Sequence, residues 1–227
     1  MSMRARIKTI NLFEDLPPDA WRTECPTLIV ADFQDKGVIY RQGEPCGGTF
    51  LIAEGHIMLS RLNAEGNELT MAILTKGELF GPALPQNEAE AQETATAKGA
   101  AKLYRIPMAE FKGLLARRAS LAWAVLCAFS SRQRLLERKL ECFLFKDVRG
   151  RVAETLLELA GHYGVNCKHG FEIDIHLTQQ ELADLVGADR SVVSTVMNEF
   201  RDQGILFYDR DCICINQIKA LEHFLAS

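Results

Sequence analysis

The chain has 227 residues, 48% of them hydrophobic and 25% charged, with a formal net charge of −4. That length admits one large domain or two small ones, and the composition is that of an ordinary globular protein. No run of about 18 apolar residues occurs, which argues against a membrane partner. The start, Met-Ser-Met-Arg-Ala-Arg-Ile-Lys, lacks the apolar stretch of a secretory signal, so a cytoplasmic location is expected.

Residues 1–106 read as a series of short strands. Glycines separate short apolar runs, and Gly55, Gly66 and Gly77 fall eleven apart, as when strand and turn alternate in a sandwich or barrel. Asn63-Ala64-Glu65-Gly66-Asn67 has the composition of a hairpin tip. Within this segment "ELFGPALPQNEAEAQETATAKG", residues 78–99, stands out. A strand runs into Phe80-Gly81, prolines follow at Pro82 and Pro85, and no Lys or Arg occurs from Gly77 through Ala97.

From Pro107 to about residue 146 the period changes. Leu114, Leu121, Ala128, Leu135 and Cys142 recur every seven residues, and Ala122, Phe129, Leu136 and Phe143 form a second row. The pattern predicts one helix of about 35 residues, roughly 50 Å long. A heptad row on so long a helix is best buried against a second copy of itself. One row is expected to pack inward and one against a partner, with Leu121, Val125, Ala128 and Leu135 at the dimer interface.

Residues 147–227 form a third segment. Asp147 is placed to cap a helix carrying Val148, Val152, Leu156, Leu159 and Tyr163. "FEIDIHL" alternates apolar Phe171, Ile173, Ile175 and Leu177 with polar residues, the pattern of a half-buried strand that turns His176 to solvent.

"LTQQELADLVGADRSVVSTVMNEFRDQGIL" carries the most specific signal. Thr178 with Glu181 three residues later is a capping box that starts a short helix at Gln179. Asp189 stands where it would cap a second helix, which Gly204 ends. Ala183, Gly187, Val193 and Val196 sit where a helix-turn-helix needs a small contact residue, a turn glycine and branched apolar packing. Val193, Val196, Met197 and Phe200 should face inward. Arg190, Ser191, Ser194, Thr195 and Asn198 should face outward, where they could bond base edges or phosphates, with Gln179 and Gln180 at the preceding helix start. "ILFYDRDCICI" reads as a β-hairpin wing turning at Asp209-Arg210-Asp211. Charge opposes this reading in part. From Asp147 to Ser227 there are 7 Lys/Arg and 13 Asp/Glu, a balance of −6, so DNA binding weaker or more salt-sensitive than that of a basic domain is expected.

Seven cysteines without an export signal read as reduced, mostly buried thiols. There is no Cys-x-x-Cys pair and no zinc-finger quartet, so no metal site is expected. Cys212 and Cys214 share one face of a strand and read as strand packing. No Gly-x-Ser-x-Gly, His-Glu-x-x-His or phosphate-cradling loop followed by Lys-Ser/Thr occurs, so no catalytic residue is assigned and an enzyme is not expected.

The motifs "NLFEDL", "GVIYRQGEP", "FLIAEGHIMLSR", "LTKGELFG", "KDVRGRVAETLLELA" and the helix-turn-helix stretch, in this order, resemble the cyclic-AMP receptor / fumarate–nitrate regulator (Crp/Fnr) family of bacterial transcription factors over nearly the whole chain. The resemblance implies an α+β fold. It comprises an N-terminal cyclic-nucleotide-binding-like β jelly roll (1–106), a long dimerisation helix (107–146) and a C-terminal winged helix-turn-helix (147–227). It implies a homodimer on a two-fold-related operator in double-stranded DNA, with RNA polymerase as a further partner, and a ligand in the first domain that reorients the second.

The sequence departs from the cyclic-AMP pattern. In members that bind this nucleotide a Glu follows Phe-Gly and takes the ribose hydroxyl, and an Arg some ten residues on pairs with the phosphate. Here Pro82 follows Gly81, and the Arg position falls near Ala91-Gln92. Leu136 and Glu137 stand where such members carry hydroxyls for the adenine. A phosphate buried here would lack its cation from this stretch, so cyclic AMP is not expected as effector and no cofactor is assigned. An iron–sulfur cluster needs a tighter cysteine group than Cys25 and Cys46, and His56 has no Cys beside it. A haem-type or other small ligand under Leu79, Phe80, Gly81, Pro82, Leu84 and Leu136 stays open, as does no ligand. The operator code departs too: Arg190 is kept, but Ser191 and Thr195 replace the Glu and second Arg many relatives use. A sensor or adaptor that acts through protein contacts, its winged domain having lost DNA affinity, is the alternative.

Overall fold

The apolar run Phe50–Ala53 and the β-rich stretch after it make the longest strand, β3 (Thr49–Leu62), whose first five residues are all buried. It pairs antiparallel with β6 (Thr94–Ile106), from Thr49 opposite Ile106 to Ser60 opposite Thr94. This computed structural model describes residues 10–81, 90–168, 170–209 and 212–225, and the chain divides into two compact units between Leu135 and Leu136.

In the first unit β1 (Ile29–Phe33) and β2 (Val38–Tyr40) pair with β6, while β4 (Glu68–Leu74) and β5 (Leu79–Phe80) pair with β3, all antiparallel. The β3–β4 hairpin closes at the expected tip. Asn63 Oδ1 accepts from the Glu65 and Asn67 N–H groups at 3.0 and 2.9 Å, and Gly66 takes φ +85°. Register slips on either side of Glu54. Gly55 permits the bulge, because with φ +83° a Cβ there would stand 2.3 Å from the Ala100 carbonyl oxygen.

Two apolar clusters hold this unit. One gathers Tyr40, Phe50, Ile52, Phe80 and Leu103. The other joins Leu12, Trp21, Leu51, Leu79 and Ile106 to Phe111, Leu114, Leu121 and Val125. A short helix, α1 (Pro18–Glu24), precedes the strands and buries Trp21 completely.

The single long helix expected from residue 107 is two helices. α2 (Met108–Arg117) and α3 (Ala119–Phe145) meet at an angle of 115°. Neither Pro nor Gly stands at the break. Arg118 leaves the helical region at φ −123°, ψ 88°, and the Arg117 and Arg118 guanidinium groups pair with the Glu24 carboxylate at 3.5 and 2.6 Å. Arg118 is also the larger reason that the Glu24 carboxyl lies below its usual range. A tertiary contact accompanies the bend, where propensity alone would have continued the helix. Among the described residues no single helix is long and apolar enough to cross a membrane.

The interface assignment on α3 needs correction at Leu121 and Val125. Leu121 is fully buried and Val125 nearly so, both within the first unit's own core. Ala128 and Leu135 are half-buried. Leu121 and Val125 thus face inward, while Leu114 of the same heptad stands on α2, beyond the bend. The exposed large apolar residues of α3 are Trp123 (69%), Leu126 (61%), Phe129, Leu136, Leu140, Leu144 and, at its last position, Phe145 (77%). Spacing alone could not say which row the strands would cover.

The second unit is built on α4 (Val148–Tyr163), capped as expected by Asp147, whose Oδ1 accepts from the Gly150 N–H at 2.8 Å. Its sheet runs β7–β8–β10–β9, all antiparallel. The strands are β7 (Gly164–Cys167), β8 (Gly170–Ile173), β9 (Leu206–Tyr208) and β10 (Ile213–Ile215). β8 is shorter than the strand expected over "FEIDIHL". The alternation persists beyond it, with Ile175 buried and His176 exposed. α5 (Gln179–Val186), α6 (Arg190–Asp202) and α7 (Ile218–His223) complete the unit.

Candidate DNA interface and sensor site

α5 opens on the capping box read from sequence. Thr178 Oγ1 accepts from the Glu181 N–H at 3.2 Å, and Glu181 Oε2 accepts from the Thr178 N–H at 2.7 Å. The helix ends at Gly187, in the left-handed region at φ +67°, where the Gly187 and Ala188 N–H groups both donate to the Ala183 carbonyl, at 2.8 and 3.2 Å. These two hydrogen bonds to one carbonyl close the helix and turn the chain at once. Ala183, fully buried, has the small side chain that close helix contact requires.

α6 divides as its periodicity predicts. Val193, Val196, Met197 and Phe200 are buried, and the Phe200 ring lies 4.9 Å from that of Phe224. Arg190, Ser191 and Thr195 are exposed, while Ser194 and Asn198 are half-buried. Among the described residues Arg190 makes no hydrogen bond or ion pair, so its five donors face solvent. Gln179 and Gln180 are exposed, and Gln180 Nε2 donates to Asp184 Oδ1 at 2.8 Å.

Three details depart from a free reading face. Thr195 Oγ1 donates to the Ser191 carbonyl at 3.0 Å, which leaves its oxygen only as an acceptor. Asn198 Oδ1 accepts from the Tyr208 hydroxyl at 2.8 Å, so its amide NH₂ is the group left over. Asp189 occupies the cap position of α6 but makes no side-chain cap bond. The first N–H groups of α6 therefore lack the partner expected for them.

Sequence reading missed the residues that hold this element. Arg151 Nη1 donates to the Gly187 carbonyl at 3.2 Å, with its guanidinium 5.3 Å from the Phe143 ring centre. Arg149 pairs with Glu199 at 2.7 Å. The Arg201 guanidinium lies 5.7 Å from the Tyr208 ring, beside the hydroxyl that bonds Asn198. Only the fold brings Arg151 to the turn and Arg149 to α6. In the wing, Asp209 N–H donates to the Cys212 carbonyl at 3.1 Å and Cys212 N–H to Asp209 Oδ1 at 2.9 Å. Arg210 and Asp211 of the expected turn lie outside the described residues.

In the first unit Leu79 and Phe80 point to different clusters. Leu79 packs with Leu51, Ile106 and Leu114. The Phe80 ring stacks on Phe50 at 5.1 Å and Tyr40 at 6.1 Å. Gly81 takes φ +82°, and a Cβ there would meet the Phe50 ring at 3.1 Å. Pro82 and Leu84 lie outside the described residues, and Leu136 is an exposed residue of the second unit.

A cation does reach the edge of this segment, from α3. Arg132 Nη1 donates to the Leu79 carbonyl at 3.3 Å, and its Nη2 is buried without a hydrogen-bond partner. Beside it Glu78 is raised to about 7, chiefly by burial, against the Thr75 N–H and the Arg132 charge. Tyr40 donates its hydroxyl to Glu93 Oε1 at 3.2 Å. Arg132 lies 35 residues beyond Ala97, too far along the chain for the segment's composition to reveal.

The two units together define a winged helix-turn-helix DNA-binding regulator with a cyclic-nucleotide-binding-type β domain. Residues 31–118 match the family model for a cyclic nucleotide-binding domain, and residues 150–224 match that for a Crp-like helix-turn-helix domain. The global nitrogen regulator of a Nostoc species is 26% identical over 191 residues, 83% of this chain and 86% of that protein. A CRP-like cAMP-activated global transcriptional regulator of Mycobacterium tuberculosis is 25% identical, covering 93% of this chain and 94% of its own. The solved structure of a CooA mutant from Carboxydothermus hydrogenoformans superposes with a TM-score of 0.81 over 97% of this chain and 99% of that one, at 21% identity. The chain belongs to the Crp/Fnr family of bacterial DNA-binding transcription regulators. That family consists of regulators rather than enzymes, and its members bind DNA and function as dimers.

Proposed function

We propose that this protein is a cytoplasmic homodimer that reads a two-fold-related operator with α6 and does not respond to cyclic AMP. The observation that carries the reading is Arg190, exposed at the first turn of α6, unpaired among the described residues and beside helix N–H groups that Asp189 leaves uncapped. A guanidinium so placed can take a guanine edge in bidentate fashion, while free N–H groups at a helix start suit a phosphate. Ser191, Ser194 and Thr195 supply shorter contacts, and Asn198 offers its amide NH₂. Gln179 and Gln180 stand at the start of α5, placed to contact the backbone.

The exposed apolar row of α3 supports the paired reading. Trp123, Leu126, Phe129, Leu136, Leu140 and Leu144 recur at steps of three, four and seven, the periodicity of a helix seam.

Two features support an effector other than a cyclic nucleotide. The segment after Gly81 carries neither the Glu nor the Arg of nucleotide-binding members. The cation present, Arg132, spends one nitrogen on the Leu79 carbonyl.

Operator selection from random DNA, followed by footprinting, tests the reading. Arg190→Ala should weaken the selected site by about 1–3 kcal/mol and relax the sequence at one position per half-site. An unchanged footprint would refute the assignment of α6. Calorimetric titration with cyclic AMP and cyclic GMP should give no saturable heat, and saturable binding of either would refute the effector statement.

A further inference from the structure

The wing sheet brings together two cysteines, Cys167 and Cys214, that lie 47 positions apart in the sequence. Cys167 Sγ and Cys214 Sγ lie 3.7 Å from each other. These two sulfurs and a Glu172 carboxylate oxygen all fall within 4.8 Å of one another. Cys212 immediately precedes β10, two residues before Cys214.

The pairing explains the convergence. On β8, Glu172 faces Val165 of β7 on one side and Cys214 of β10 on the other. Cys167 faces Gly170, so no side chain stands beside it on β8 at that register. Residues two apart share a face, so Cys167, Glu172 and Cys214 all lie on one side of the sheet. Phe207, opposite Cys214, is exposed on that side. Tyr208, which bonds Asn198 of α6, belongs to the other. Cys214 is buried, and Cys167, Glu172 and Cys212 are half-buried.

Two chemistries suit close thiols, and geometry separates them. β7 and β10 are each neighbours of β8 and not of each other. At about 4.8 Å per strand they are some 9–10 Å apart across the sheet, whereas a disulfide needs Cα atoms within about 7 Å. Closing that bond would force the sheet out of register. Two thiolates on one tetrahedral zinc, by contrast, stand about 3.8 Å apart given Zn–S bonds of ~2.3 Å. The observed separation matches that spacing without backbone movement. Soft sulfur with one carboxylate is the donor set of a thiophilic cation of the zinc class.

From this geometry we infer that Cys167, Cys214 and Glu172 form a three-ligand binding site for one zinc-class cation per chain, with a solvent molecule completing the tetrahedron. Binding changes no oxidation state. Each ligating thiol gives its proton to solvent and its sulfur lone pair to the metal, so affinity rises with pH. Burial raises the Cys214 thiol, to about 12, and a divalent charge compensates this desolvated sulfur. The bound ion would tie β7 and β8 to the β9–β10 wing on the face turned away from α6.

The test titrates the reduced full-length chain anaerobically with Cd²⁺ and follows thiolate-to-cadmium charge-transfer absorption. One equivalent per chain should bind, Zn²⁺ should displace it, and about two fewer thiols should react with a chromogenic reagent. Cys167→Ser and Cys214→Ser should each weaken binding more than ~100-fold, beyond the loss typical of outer-shell changes. Cys127→Ser, on α3, should leave it unchanged. Glu172→Gln disturbs no buried sulfur and should weaken binding while keeping the thiolate band, so the inference stays testable if a cysteine variant misfolds. Absence of stoichiometric binding, or a Cys167→Ser/Cys214→Ser double variant that keeps the band and the one-equivalent endpoint, would overturn it.

Discussion

The Tyr208 hydroxyl on β9 donates a 2.8 Å hydrogen bond to Oδ1 of Asn198 on the outward side of α6. This bond ties the wing to the helix assigned to DNA reading and fixes which end of the Asn198 amide can reach a base.

Tyr208→Phe should therefore cost more in recognition than in folding. A part-buried neutral hydrogen bond contributes about 1 kcal/mol to stability. In the free protein the loss should appear as a slightly lower denaturant midpoint. In fluorescence anisotropy with the selected operator, sequence preference at the Asn198 position should relax, because the amide becomes free to flip. Unaltered preference would mean Asn198 does not face the bases.

The turn between α5 and α6 makes a sharper demand. Gly187 sits at φ +67°, where a side chain is strained, so Gly187→Ala should destabilise the second unit by about 1 kcal/mol or more. Thr178→Ala removes one half of the capping box and should cost about 0.5–2 kcal/mol. Both are checked by urea melts, and neither should move the melt of the first unit if the two unfold separately.

The two rows of α3 predict opposite phenotypes. Leu126→Glu and Leu140→Glu add charge to exposed positions and should yield folded monomers by light scattering. Leu121→Ala empties a fully buried site and should destabilise the first unit by about 2–5 kcal/mol while leaving association intact. A Leu126→Glu protein that stays dimeric would remove α3 from the interface.

Glu78 predicts a pH dependence. Its folded value near 7 lies above the ~4.3 of an unfolded carboxyl. Between those values the folded chain keeps a proton that the unfolded chain has released. First-unit stability should accordingly fall as pH rises from about 4.3 to 7. Glu78→Gln should flatten that slope in thermal melts, and equal slopes in both proteins would contradict the assignment.

Features legible in the sequence were those decided within a few residues. Thr178 finds Glu181 one turn away, Gly187 supplies the left-handed turn, and Asp147 caps α4 because each bond closes locally. The two faces of α6 follow from its period, since a helix turns side chains with a fixed angle whatever surrounds it.

Tertiary structure alone decided what depends on partners distant along the chain. The heptad on α3 offered two rows, and only the β strands settled that Leu121 and Val125 go inward while Leu126 stays out. The helix breaks at Arg118, where Glu24 receives two cations from across the unit. Arg132 reaches a segment whose own sequence has no cation. Cys167 meets Cys214 across 47 positions, through a strand between them. Sequence specifies periodicity and caps because their energetics are local. Which face is covered, and which side chains converge, depends on how strands pair, and that is settled only when the whole sheet forms.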